Sequence, residues 1–204
     1  MPRPRSLTDT GIAAAALAVL DREGLDGLSM RTVAAELGVG TMSLYRYVTD
    51  RGQLEGLVIE LVLDKVDLTV PARAPAAKRL TVLAERARQA VGEHLAVVPL
   101  LLTHRHLSVA SRRWGEAVLG VLTDVGFTGK RRVIAFRALL SYLLGTLQTT
   151  YFGPLSGGGT AAMAELPVED YPFLRDTARH AQRVTPDEEF HRGLEIVLRG
   201  LGLS

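Results

Sequence analysis

The side chains that could do chemistry here are arginines, hydroxyls and five histidines, because the 204 residues include no cysteine. They are densest in Ser29–Tyr47, SMRTVAAELGVGTMSLYRY. Ser29 is a good N-cap, since its hydroxyl can accept an orphan backbone N–H at a helix start. Val33, Ala34 and Leu37 follow at helical spacing, and Gly38 sits where a helix normally ends. A second helix restarts at Thr41, with Leu44 and Val48 on one face and Ser43, Arg46 and Tyr47 on others. In a helix-turn-helix, two short helices across a glycine turn present the second one to the DNA major groove. The same spacing fits an ordinary helical hairpin in a core, so the pattern alone leaves both open.

A second chemistry would rest on histidine. His104-Arg105-His106 invites a metal ion, but residues two apart on a helix do not face each other. No metal or cofactor is expected. His94 or His104 could act as the base of a small helical enzyme working on an apolar substrate. No nucleophile–base spacing, cofactor loop or paired carboxylate site accompanies them. Gly157-Gly158-Gly159 follows no strand and lacks the lysine of a phosphate-binding loop, so it reads as a linker. Catalysis is not expected.

The elements that must position these residues are helices. Thr8 caps the first, with Asp9 well placed against the helix dipole. Ile12, Ala15, Ala16, Val19 and Leu20 form its apolar stripe, and Gly24 and Asp26-Gly27 end it. Asp50 with Gln53 three residues on forms a capping box for a fourth helix, whose stripe is Leu54, Leu57, Val58, Leu61 and Val62. Pro71 and Pro75 mark a boundary near Val70–Ala76. The chain therefore divides into a domain at 1–70 and a domain at 71–204. The first comprises an arm at 1–7, the two short helices at about 29–48 and a connecting helix at about 51–68.

Beyond the boundary, Leu80, Leu83, Ala84, Ala87 and Val91 form a stripe that ends near His94. Pro99 starts a short helix. Trp114, Val118, Val121, Leu122 and Val125 mark another, closed by Gly126. Thr128 opens a long helix to about Phe152, apolar on more than one side, as expected of a helix buried within the chain or against a second subunit. Thr185-Pro186-Asp187-Glu188 opens the last helix. No segment reads as a strand, so the fold class is all-α with nine or ten helices.

The absence of cysteine excludes a disulfide framework and thiolate zinc sites, and points to the cytoplasm. Arg3 and Arg5 before the apolar run Ile12–Leu20 mimic a secretion signal, but Asp21, Arg22 and Glu23 follow at once, with no cleavage site. No apolar stretch reaches the roughly 20 residues that span a bilayer. Net charge is only +2, and residues 1–66 hold seven arginines and lysines against nine carboxylates. Any DNA binding must come from a few clustered cations.

The run Gly24-Leu25-Asp26-Gly27-Leu28-Ser29-Met30-Arg31, with Ala34, Leu37-Gly38-Val39 and Leu44-Tyr45-Arg46-Tyr47-Val48, resembles the tetracycline repressor (TetR) family of bacterial transcription regulators. The resemblance covers about Leu7–Leu68. Asp124-Val125-Gly126-Phe127 and Phe190-His191-Arg192-Gly193-Leu194-Glu195 extend it, more weakly, to the tetracycline-repressor branch. It implies a homodimer on a palindromic double-stranded operator. The implied base-facing residues are Arg31, Thr41, Met42, Ser43 and Arg46, and the phosphate-facing ones Ser29, Tyr45, Tyr47 and Arg51. The chemistry suits these roles: arginine bonds guanine O6 and N7, Met42 or the Thr41 methyl meets a thymine methyl, and tyrosine hydroxyls reach phosphates. The expected subunit interface is Phe136, Leu140, Leu143 and Leu147 with Phe190, Leu194, Val197, Leu198 and Leu201.

The resemblance also implies a small-molecule inducer bound in the C-terminal domain. Two histidines that hold the drug or its magnesium in the tetracycline-repressor branch correspond here to Leu101 and Asp67. These departures argue against a tetracycline–magnesium inducer and for a largely apolar one. Candidate lining residues are His94, His104, His106, Trp114, Tyr142, Gln148 and Tyr151, while Asp67 and Arg105 sit where the domains meet. The remaining alternative is a C-terminal part that only dimerises.

Overall fold

The computed structural model describes residues 7–153, 155 and 157–203. The expected arm with Arg3 and Arg5 lies outside them. The described residues form eleven α-helices and two short 3-10 turns, and no strand.

The head is built by α1 (Asp9–Gly27), α2 (Met30–Glu36) and α3 (Thr41–Leu44), packed on α4 (Arg51–Leu63). Thr8 caps α1, its hydroxyl accepting the Gly11 N–H at 3.1 Å. Helical geometry breaks at Gly24, where φ is 72°. Ile12, Val19, Leu20, Leu28, Val33, Leu44, Leu54 and Val58 are fully buried and make the head's core. Asp50 caps α4 as expected, accepting from Gln53 N at 2.8 Å, while the Gln53 carbonyl reaches back to Thr49 N rather than to the cap residue.

The connecting helix is shorter than the 51–68 expected. It ends at Leu63 because the next turn is fixed from outside: Asp67 accepts from Thr69 N and Thr69 Oγ1, and Arg86 bonds the Asp67 and Thr69 carbonyls at 2.7 Å each. Local polar bonds of this kind compete with helix continuation.

The second domain contains α5 (Ala76–Gly92), a 3-10 turn at Leu95–Val97, α6 (Val98–His104), a 3-10 turn at Arg105–Leu107, α7 (Val109–Asp124), α8 (Gly129–Phe152), α9 (Gly158–Ala164), α10 (Pro172–Ala181) and α11 (Pro186–Gly200). Thr185 caps α11 through Glu188 N, with Pro186 at its first position. Helices α9 and α10 are absent from the sequence reading. The glycines taken as linker open α9, and α10 buries only Ala178 while exposing Phe173 and Leu174. α10 places Leu174, Ala178 and Ala181 at helical spacing, but the run is short and buries little.

Candidate DNA-binding surface and ligand cavity

The turn between α2 and α3 is a Schellman motif. Val39 N bonds Ala34 O at 2.9 Å, Gly38 N bonds Ala35 O at 3.0 Å, and Gly38 takes a φ of 68°. The left-handed position explains the glycine. Ser29 caps α2 through Thr32 N at 3.1 Å, and the Thr32 hydroxyl returns to Ser29 N at 3.0 Å. This reciprocal cap uses threonine where glutamate or glutamine is usual, which hid it in the sequence.

Leu44 and Val48, both buried, pin α3 and the turn after it to the head. Their anchoring turns the neighbouring side chains outward. Met42 is 78% exposed, Tyr45 46% and Tyr47 40%. Arg31 and Arg46 are exposed, and Thr41 and Ser43 half-buried. Two of the nine expected DNA contacts are engaged within the chain. The Ser29 hydroxyl is used by its cap, and Arg51 bonds Glu55 Oε1 at 2.7 Å and Leu25 O at 3.2 Å.

A row of carboxylates on α4 docks onto the second domain. Glu55, buried, lies 2.8 Å from His104 Nδ1 as well as bonding Arg51. Glu60 accepts from Ser108 Oγ at 2.7 Å and Ala110 N at 2.9 Å, a negative charge on the N-terminus of α7. Asp64 lies 3.6 Å from Arg113. On another side of the junction, His94 Nδ1 sits 2.8 Å from Asp21 of α1. The spacing of Glu55, Glu60 and Asp64 is visible in the sequence, but their partners come from residues some fifty positions away.

Behind this junction lies a cavity of about 40 Å³ walled by α4, α5, α6, α7 and α8. Of the expected ligand residues, Leu101, Arg105 and Trp114 line it; Leu63, Ala87, Val91, Ser111 and Leu144 join them. Trp114 is held by a hydrogen bond from Nε1 to Leu83 O at 2.9 Å. The other expected ligand residues are dispersed. Asp67 and His94 border an open groove between α1, α4 and α5, and His104 a second groove along α4. Tyr142 borders a cleft between α8 and α11, His106 and Gln148 are exposed, and Tyr151 is half-buried outside the cavity. Hydrogen bonds from Thr69, and then Arg86 beside it, hold the Asp67 carboxyl below its usual range. Among the described residues no three histidines or carboxylates gather as a metal site.

Five of the nine residues expected at the subunit interface face inward. Leu143, Leu147, Phe190, Leu194 and Leu198 are buried in the subunit's own core, and Leu140, Leu143 and Leu147 form a cavity wall. Phe136, Val197 and Leu201 pack, half-buried, against the same core. A stripe of apolar residues on a helix does not say which body covers it, and here the chain covers its own. The outward rows of α8 and α11 instead carry Ile134 and Ile196, 57% and 69% exposed. Tyr142 donates to Phe190 O at 2.8 Å and sits against Gly193, where any Cβ would collide with its ring. Burial raises the Tyr142 pKa.

A helix-turn-helix head joined by a shared helix to an all-helical cavity domain defines a class of DNA-binding regulators rather than enzymes. Residues 12–54 match the family described as "Bacterial regulatory proteins, tetR family", and residues 73–203 match "Tetracyclin repressor-like, C-terminal domain". The chain belongs to the TetR family. It is 35% identical over 163 residues to the transcriptional repressor DrrR1 of Streptomyces coeruleorubidus, a match covering 74% of this chain and 56% of that protein. It is 26% identical to the class D tetracycline repressor of Escherichia coli, over 91% of this chain and 85% of that one. The crystal structure of ActR from Streptomyces coelicolor in complex with actinorhodin superposes with a TM-score of 0.84 at 26% identity, covering 98% of this chain and 99% of that one.

Proposed function

We infer that this chain is a ligand-responsive transcriptional repressor, acting in the cytoplasm as a homodimer on a palindromic operator. The carrying observation is that α4 belongs to both units at once. Leu54 and Val58 are buried in the head, while Leu63 of the same helix walls the cavity. A change in the cavity's shape therefore displaces the helix on which the head is mounted. A ligand shifts such an equilibrium only if it binds one arrangement better than the other. The cavity's present volume supplies that difference, because any ligand of ordinary size must spread its walls. That ActR, similar over nearly its whole length, carries actinorhodin supports a ligand role.

In this reading Arg31, Thr41, Met42, Ser43 and Arg46 face bases, and Tyr45 and Tyr47 face phosphates. Ser29 and Arg51, which the resemblance also places on DNA, instead hold α2 and the turn at Leu25 in place. Two heads then enter successive major grooves about 34–36 Å apart. Footprinting on DNA upstream of the protein's own gene is the test. A two-fold symmetric footprint, weakened by small apolar compounds and lost in Arg46→Ala, is expected. Absence of any protected site would refute the reading.

A further inference from the structure

The geometry points to an acidic inducer: an apolar, ring-bearing molecule with a single anionic group, whose counter-ion in the cavity is Arg105. This inference rests on the reading of the cavity as the ligand site. The lining is aliphatic or aromatic except for Arg105 and Ser111. Arg105 is half-buried, and its guanidinium bonds two carbonyls, Leu102 O at 2.9 Å and Leu101 O at 3.3 Å. Both bonds use Nη1, and no carboxylate pairs with Arg105 among the described residues. The Nη2 and Nε edge of the fork stays uncommitted. That edge carries two parallel N–H groups, the geometry that receives a carboxylate or sulfonate through two hydrogen bonds.

A half-buried cation against an apolar wall is costly without a counter-charge. The nearby carboxylates are already engaged: Glu55 by Arg51 and His104, and Glu60 by the start of α7. An anion arriving with the ligand supplies what the chain does not. Drawing the guanidinium toward the anion strains its Nη1 bonds to the two α6 carbonyls. Loosening them frees the end of α6, where His104 meets Glu55 of α4. The ring of such a ligand would meet Trp114 and the leucines of α8 that line the cavity.

Trp114 is the single tryptophan of the sequence, so intrinsic fluorescence reports directly from the cavity wall. The probes are 8-anilinonaphthalene-1-sulfonate and its uncharged parent N-phenyl-1-naphthylamine, which differ by the sulfonate alone. Each is titrated into the full-length dimer while Trp114 quenching is followed. The sulfonate is expected to bind roughly tenfold or more tighter than the parent, as for a charge-assisted hydrogen bond. Arg105→Gln should abolish that gap by weakening the sulfonate alone. Arg105→Lys, which keeps the charge but not the fork, should lose part of it and serves if the glutamine variant does not fold. Equal quenching by both probes in the wild type overturns the acidic preference while leaving the cavity a ligand site. A gap that survives Arg105→Gln, or does not shrink in Arg105→Lys, overturns Arg105 as the counter-ion. No quenching by either probe overturns both this inference and the cavity reading.

Discussion

Glu55 Oε2 lies 2.8 Å from His104 Nδ1, joining the first turns of α4 in the DNA-binding head to the end of α6 in the cavity domain. Its other oxygen holds Arg51, which in turn bonds the Leu25 carbonyl before α2. One buried carboxylate thus ties three segments that must move together or apart. Removing one partner of a fully buried pair costs about 3–5 kcal/mol. Arg51 and His104 keep 49% and 35% of their side-chain exposure, so water recovers part of that loss. Glu55→Gln is expected to lower unfolding free energy by about 1–3 kcal/mol in urea denaturation. It should also change how strongly cavity ligands weaken operator binding. Unchanged stability and unchanged coupling would leave Glu55 a bystander.

The reading head makes a separable prediction. Arg46 is exposed and anchored only through Leu44 and Val48 beside it. Arg46→Ala should leave folding intact and relax preference at one base position by about 1–3 kcal/mol, read from an operator-variant panel. Gly38→Ala acts differently. At a φ of 68° a Cβ is strained, so about 1–3 kcal/mol of stability is lost, together with α3 placement. Operator affinity should then fall for all sequences alike. The salt dependence of binding should be shallow, since few cations face outward on a head that is acidic overall.

The sequence showed most of the head and less of the rest, for a physical reason. Caps and turns are local, so Thr8, Ser29, Gly38 and Asp50 declare themselves through their own neighbours. Burial partners are not local. The stripe of Leu143 and Leu147 has the same spacing whether it meets a cavity, its own core or a second subunit. Only the fold shows that it lines the cavity. Likewise Arg51 is a cation at a plausible phosphate position, and nothing in the sequence reveals that Glu55 and Leu25 already hold it.

Acid should loosen α11 from α5. Hydrogen bonds from Arg88, beyond any effect of burial, hold the Glu85 carboxyl below its ordinary value. Arg88 also reaches Asp187 at 2.8 Å and lies 4.7 Å over the Phe190 ring. A lowered folded-state pKa means stability that is present above the ordinary value and lost as pH falls through the depressed one. Thermal melts should therefore show Glu85→Gln less stable than wild type at neutral pH, with the two converging as pH drops below 4.5. Parallel curves across the series would contradict the assignment.

The outward row of α11 should decide the oligomeric state. Ile196 is 69% exposed, and Gly200 four residues on stands on the same side of the helix with open space where a Cβ would be. Gly200 beside it lets a second helix approach closely, and Ile134 on α8 adds a further exposed apolar side chain. In a two-fold interface each residue counts twice. Burying isoleucine contributes about 1.5–3 kcal/mol per side chain, so replacing both copies with a charge should shift dimerisation by several orders of magnitude. Ile196→Glu is expected to sediment as a monomer with its helical circular dichroism retained. It should also lose the two-fold footprint, because a single head makes only half the contacts. A dimer that persists at micromolar concentration would place the subunit interface elsewhere, with the exposed Phe173 and Leu174 of α10 the next surface to substitute.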